Sequence, residues 1–262
     1  MLGKILETNP KRRNVDFLTS LAQDEVDTCT RVAERFPKNY YAWTHRRYLW
    51  TVFKPLVLEE NSNGEDNERA LLLRGIWTSE FERICKWLET HISDHSAAHY
   101  GAQVLQLLMT PSTPYIYNLE EMAIKALEES RTLVNRQPAT ETKWIFRRMV
   151  VQVLLLQAKT NASIRALVQS EIVSVYHEYV AKDTSSSCLD MHHIHAWTFL
   201  VWCMLQMQKT LGAGGENLLA QNKTPRQAIP SNAISLLQRH LTVVHHQKIW
   251  TDYDCTMKEA FQ

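Results

Sequence analysis

Glycine and proline are scarce, at 7 and 8 in 262 residues. A β-rich fold needs tight turns at short intervals, and those turns need these residues, so their scarcity argues against one and favours helices. Neither charge dominates. Lys and Arg number 29 against 28 Asp and Glu, so no global field recruits nucleic acid or an anionic membrane, and only local patches could act at long range. The five cysteines include no Cys-x-x-Cys pair and leave one unmatched in any disulfide scheme, as expected of a reducing, cytoplasmic compartment. Residues 1–16 lack a sustained apolar run. No window approaches the ~18 to 20 uncharged apolar residues of a membrane span.

What is present is helical periodicity in pairs, with a hydrophobic content of 45% that allows a substantial core. Ala22, Val26, Cys29, Ala33 and Phe36 fall at i, i+4, i+7, i+11 and i+14, the stripe of an amphipathic helix. Pro37 ends it. Asn39 then offers an N-cap for a new helix from Tyr40, on which Tyr40, Trp43, Arg47 and Trp50 form one stripe and Ala42, His45, Leu49 and Phe53 another. A second pair follows, with Phe81, Ile84, Cys85 and Leu88 on one helix and Ala102, Leu105 and Met109 on a helix opened by Asp94-His95-Ser96-Ala97-Ala98-His99-Tyr100. The third pair has Leu119, Met122, Ala123, Ala126, Leu127 and Leu133, then Glu141-Thr142-Lys143-Trp144-Ile145-Phe146-Arg147-Arg148. A fourth has Ile164, Val168, Ile172, Val175 and Tyr179 before a helix entered through His193-Ile194-His195-Ala196-Trp197, and a fifth carries Ile234, Leu237, Leu241, Val244 and Trp250.

Trp43, His99, Trp144, Trp197 and Trp250 stand 56, 45, 53 and 53 residues apart. A period above the ~34 residues of a tetratricopeptide unit suits longer helical hairpins with variable connections. The expected fold is all-α. We expect one domain over 1–262, a right-handed α-solenoid of antiparallel helical hairpins at about 19–55, 78–110, 117–158, 163–208 and 230–262, with loops at 56–77 and 209–229. The acidic run from Glu59 to Glu68 reads as solvated loop, and Gly212-Ala213-Gly214-Gly215 as a flexible linker.

The run Asn39-Tyr40-Tyr41-Ala42-Trp43-Thr44-His45-Arg46 resembles the Asn-Tyr-x-Ala-Trp-x-x-Arg signature of the protein prenyltransferase α subunit family. Ser93 to Tyr100 and Glu141 to Arg148 are similar to that family's repeat-containing members in the same order. The likeness covers residues 24–150 well and the remainder through spacing alone. Leu200 stands where the fourth repeat would carry Arg, and Ala102 where the second would carry Arg or Gln. Family members usually have further repeats ahead of this one, so the chain is expected to be a short member or to lack an N-terminal part.

The resemblance implies a non-catalytic α subunit whose hairpins wrap a β subunit. That partner, of geranylgeranyl type by preference, would hold the catalytic zinc and transfer an isoprenoid to a C-terminal cysteine of a target protein. No catalytic residue, metal ligand or cofactor is then expected in this chain. Lys38, Tyr40 and Tyr41 match family positions at the isoprenoid diphosphate, where an ammonium and phenols beside a helix N-terminus can take up leaving-group charge. Asn39, Trp43, Arg46, His99, Trp144, Arg147 and Trp197 read as structural marks of the repeat, rings filling the gap between hairpins and guanidinium groups bonding across it. His192, His193 and His195 with Cys188 raise zinc, but adjacent histidines on a turn point apart and share no focus; His245-His246 is a weaker case. The competing reading is a protein–protein interaction scaffold with no part in lipid transfer.

Overall fold

A computed structural model of the protein describes residues 15–58, 66–110, 119–180 and 191–211. Within them the regular structure is helical throughout: α1 (Val15–Arg35), α2 (Tyr40–Leu58), α3 (Asp66–Thr90), α4 (His95–Met109), α5 (Leu119–Arg136), α6 (Glu141–Ala158), α7 (Ala162–Val175), a π-helical turn (Tyr176–Val180) and α8 (Met191–Leu211). The all-α expectation holds. The fifth hairpin at 230–262, the linker at 209–229 beyond Leu211, Cys188 and His245-His246 lie outside the described residues. The chain divides into two compact units, Met1–Leu154 and Leu155–Gln262.

In the first unit, each hairpin turns in four residues: 36–39 between α1 and α2, 91–94 between α3 and α4, and 137–140 between α5 and α6. Such corners hold neighbouring helices antiparallel and in contact. Helix α1 packs on α2, and α2 packs on both α3 and α4 of the next hairpin, which in turn pack on α5. This is stacking of like units, each covering the apolar face of the one before. The stripes of α3 (Phe81, Ile84, Cys85, Leu88), α4 (Ala102, Leu105, Met109) and α5 (Met122, Ala123, Ala126, Leu127, Leu133) are buried as read from the sequence.

Four boundaries or faces differ from the sequence reading. Helix α3 begins at Asp66, inside the expected 56–77 loop. Helix α2 continues through Pro55 to Leu58; close to a C-terminal end, a missing N–H removes one bond without breaking the helix. Phe36 lies past the end of α1 and is exposed, so the α1 stripe closes at Ala33. On α2 the buried positions are Ala42, Trp43, Arg46, Leu49, Trp50 and Phe53, while Tyr40, His45 and Arg47 face solvent. One broad face of period 3.6 replaces the two stripes.

In the second unit, α7 is capped by Asn161, whose side chain accepts from the Ile164 N–H at 3.1 Å, and α7 and α8 pack together through the π turn. Ile164, Val168, Ile172 and Val175 are buried, as are Ala196, Phe199, Leu200, Cys203 and Met207 of α8. Leu200 fills with hydrocarbon the place where an arginine was sought. Trp197 is half-buried.

Candidate partner interface at the first repeat corner

The first corner is built by Phe36-Pro37-Lys38-Asn39. Lys38 adopts φ 63°, the left-handed region that a residue with a Cβ enters at a cost of about 1–2 kcal/mol. That reversal sets Asn39 at the head of α2, where its Oδ1 accepts the Tyr41 N–H at 3.0 Å and the Ala42 N–H at 3.2 Å. Tyr40 and Tyr41 follow at the first turn, 61% and 81% exposed, their rings edge to face with centroids 5.9 Å apart. The three residues singled out from the sequence are therefore close in the chain, outward-facing and grouped at a helix N-terminus. An ammonium, two phenols and the positive end of the helix dipole form a surface that suits an anion.

Behind this surface is a buried polar network that ties the first two hairpins together. Arg46, 2% exposed, forms a fork with Glu80 of α3: Nε donates to Oε1 at 2.5 Å and Nη2 to Oε2 at 2.8 Å. Its Nη1 donates to Thr30 Oγ1 of α1 at 2.8 Å. Tyr100 of α4 donates to Glu80 Oε1 at 2.5 Å and receives the Trp50 indole N–H at 2.5 Å. Burial opposes the charge on Arg46, but the hydrogen bonds and charge of Glu80 outweigh it and hold the pKa of the guanidinium above its usual value. Burial, reinforced by the Glu80 charge, pushes the Tyr100 phenol well above its ordinary pKa. Tyr100 is thus held as a neutral donor.

Asp94 organises a second node. Its Oδ1 caps α4 by accepting the Ala97 N–H at 3.0 Å, while Oδ2 accepts the indole N–H groups of Trp43 and Trp87, each at 3.1 Å. The two indoles meet edge to face at 5.3 Å. Trp43, Arg46 and Trp50 thus all reach across into the next hairpin. In the third hairpin, Trp144 donates instead to Pro138 O of its own corner at 2.7 Å, and Arg147 sits over the Trp144 ring at 5.6 Å.

The caps also fix the register of the repeat. Trp43 stands four residues after Asn39 and Trp144 four after Thr140; four after Asp94 is Ala98, not His99, and the counterpart of Arg46 is Gly101, not Ala102. A Cβ on Gly101 would lie 2.8 Å from Ile84 Cγ2 and 3.0 Å from Phe146 Cε2. The second repeat therefore exchanges the large ring and guanidinium for two small residues, and α4 is drawn close to α3 and α6. His99 is half-buried beside Arg47, and burial, then the Arg47 charge, lowers its pKa.

Glu80, Asp94, Tyr100 and Thr30 carry this geometry; the sequence placed Asp94 at the opening of α4 but gave no sign of the contacts that any of the four makes. Tyr100 closes the Ser93 to Tyr100 run, the one signal available. Among the described residues, no group of three or more His, Cys, Asp or Glu could hold a metal ion; the His192 and His193 rings lie 4.0 Å apart at the start of α8. No described helix is long and apolar enough to cross a membrane.

The hairpin holding the corner and Arg46 matches a family model. Residues 22–53, from the middle of α1 to Phe53 of α2, match the protein prenyltransferase alpha subunit repeat. One repeat of that kind is therefore present in the chain, at residues 22–53. It is 26% identical over 179 residues to protein prenyltransferase alpha subunit repeat-containing protein 1-A of Xenopus laevis, covering 56% of this chain and 38% of that protein. The human protein 1 of that name is 26% identical over 172 residues, 54% of this chain and 38% of its own length. The Danio rerio protein is 30% identical over 111 residues, 42% of this chain and 22% of its own length. The matched part thus spans less than two fifths of each relative. In the matched repeat, the family signature falls on the capped start of α2, with Trp43 and Arg46 turned inward and Lys38, Tyr40 and Tyr41 left outward.

Proposed function

We propose that the chain acts as the non-catalytic α-type subunit of a heterodimeric protein prenyltransferase. The β subunit holds the catalytic zinc and the isoprenoid, and transfers the lipid to a C-terminal cysteine of a target protein in the cytoplasm. The geranylgeranyl type is favoured by the family resemblance. The observation that carries the reading is the corner itself: Lys38, Tyr40 and Tyr41 stand exposed together at the head of α2, within the hairpin that matches the prenyltransferase repeat.

In this reading, the Lys38 ammonium and the Tyr40 and Tyr41 phenols meet the diphosphate of the isoprenoid presented by the β subunit. Charge grows on the diphosphate as its bond to the lipid breaks, and prepositioned donors stabilise that charge without reorganisation. The buried Arg46–Glu80–Tyr100 network keeps α2 fixed against the next hairpin, so the corner keeps its geometry. In a heterodimer reconstituted with a prenyltransferase β subunit, Lys38→Ala slows transfer by about tenfold or more while the subunits still co-purify. Unchanged turnover would remove Lys38 from the site.

A second reading, an interaction scaffold with no part in lipid transfer, is favoured by the relatives' own names, which describe a repeat and state no activity. It takes over if the chain binds no prenyltransferase β subunit at micromolar concentration.

A further inference from the structure

Among the described residues, the hydrogen bond from α2 to the rest of the chain that lies closest to the Lys38, Tyr40 and Tyr41 corner is that of the Trp43 indole to Asp94. Trp43 follows Tyr40 by three residues and Tyr41 by two. The bonds of His45, Arg46 and Trp50 come further along the helix. The Asn39 cap is local: it orders the first turn of α2, but it does not decide where that turn stands against the second hairpin. Asp94 does.

Three N–H donors, from three separate elements, meet on this one buried side chain: Ala97 of α4 on Oδ1, and Trp43 of α2 with Trp87 of α3 on Oδ2. The side chain must therefore offer an acceptor at both ends. An amide of the same shape has one oxygen and an NH2 group, and cannot serve all three. Stacking of hairpins does not by itself call for this tie, since in the third hairpin the Trp144 indole donates to Pro138 O of its own corner. The Trp43 ring is also enclosed, with Trp87 at 5.3 Å, Tyr100 at 5.6 Å and the Arg46 guanidinium carbon 5.4 Å from its centroid. Its position fixes the turn that carries the two tyrosines.

We propose that Asp94 is a positioning residue for the corner, acting through Trp43 to set Lys38, Tyr40 and Tyr41 in one place relative to the second hairpin. The inference rests on the proposed function in that it takes the corner to meet a diphosphate. Asp94 acts at one remove from that diphosphate. What it governs is how well the donors are placed when charge develops, so its effect falls on kcat and not on assembly.

The test variant is Asp94→Asn, which keeps the volume and the acceptor for Ala97 but turns an NH2 group toward the indoles. In the free chain, amide hydrogen exchange over residues 41–46 is expected to quicken by about tenfold, with α7 unchanged. In a heterodimer reconstituted with a prenyltransferase β subunit, kcat is expected to fall by about tenfold, while KM for the target and co-purification of the subunits stay the same. On a Lys38→Ala/Tyr40→Phe/Tyr41→Phe background the same change is expected to cost nothing further, because no group is left to position. Circular dichroism melts check folding; should Asp94→Asn unfold, Trp43→Phe removes the same donor and reads the same effects. Unchanged exchange over 41–46, unchanged kcat beside a slowed Lys38→Ala, or an equal further loss on the triple background would each overturn the assignment. A wild-type heterodimer that transfers nothing overturns the proposed function instead, and exchange alone then decides whether Asp94 sets the corner.

Discussion

Arg46 and Glu80 are joined twice in the core, by hydrogen bonds of 2.5 and 2.8 Å between the second helix of one hairpin and the first helix of the next. Both residues are 2% exposed. Removing one partner leaves a charge with nothing to replace its lost water, which is costlier than losing the pair as a unit. Glu80→Ala is expected to destabilise the chain by about 3–5 kcal/mol, and Arg46→Met/Glu80→Leu by much less. Urea denaturation followed by tryptophan fluorescence reads the difference. Equal costs for single and double variants would show that the pair does not act as a unit.

Gly101 gives a prediction whose sign is informative. In an unconstrained helix, Gly→Ala stabilises by about 1 kcal/mol. Here the added methyl meets Ile84 and Phe146 at 2.8 and 3.0 Å, so Gly101→Ala is expected to destabilise, by about 1–3 kcal/mol. A gain in melting temperature would show that α3, α4 and α6 are looser than described.

Lys143 is fully buried in the first turn of α6, and its ammonium has no hydrogen-bond partner among the described residues. Burial lowers its pKa from 10.5 to about 8, against the opposing pull of Glu89. The unfolded chain then binds more protons than the folded chain between pH 8 and 10.5. Stability from this group therefore rises with pH through that window, and below it the penalty is constant. Lys143→Met is expected to melt higher than the wild type at pH 7, with the gap closing above about pH 10.5. Thermal melts of both proteins across this range check it.

Cys29, Cys85 and Cys203 are buried thiols, and burial raises the pKa of Cys29 and, more strongly, of Cys85. Thiolates react and thiols do not, so these three should resist alkylation in the folded chain and react after denaturation. Peptide mapping after iodoacetamide treatment distinguishes the two states. Labelling of Cys85 at native pH would contradict its placement among Phe81, Ile84 and Leu88.

The helices were legible in the sequence because their buried faces recur with the helical period, and α3, α4 and α5 needed nothing else. Local chemistry also gave the corner: Pro37 and Asn39 announce a stop and a cap within three residues. Positions decided by distant partners were not legible. Glu80 resembles any exposed helical glutamate until Arg46, 34 positions earlier, is placed against it. The register of the second repeat misled for a related reason. His99 has the size expected of the signature ring, but the cap at Asp94 puts Ala98 there, and only the approach of Ile84 and Phe146 to Gly101 explains why small residues stand in the row. Lys143 gave no warning either, since an amphipathic helix start ordinarily leaves a lysine in water.

The central claim is tested most directly by co-expressing the full chain with a prenyltransferase β subunit and supplying labelled geranylgeranyl diphosphate with candidate target proteins. The account predicts a stable heterodimer that transfers label to a C-terminal cysteine, with transfer slowed and assembly retained in Lys38→Ala. A chain that binds no β subunit, or a heterodimer that forms but transfers no isoprenoid to any target, would contradict it.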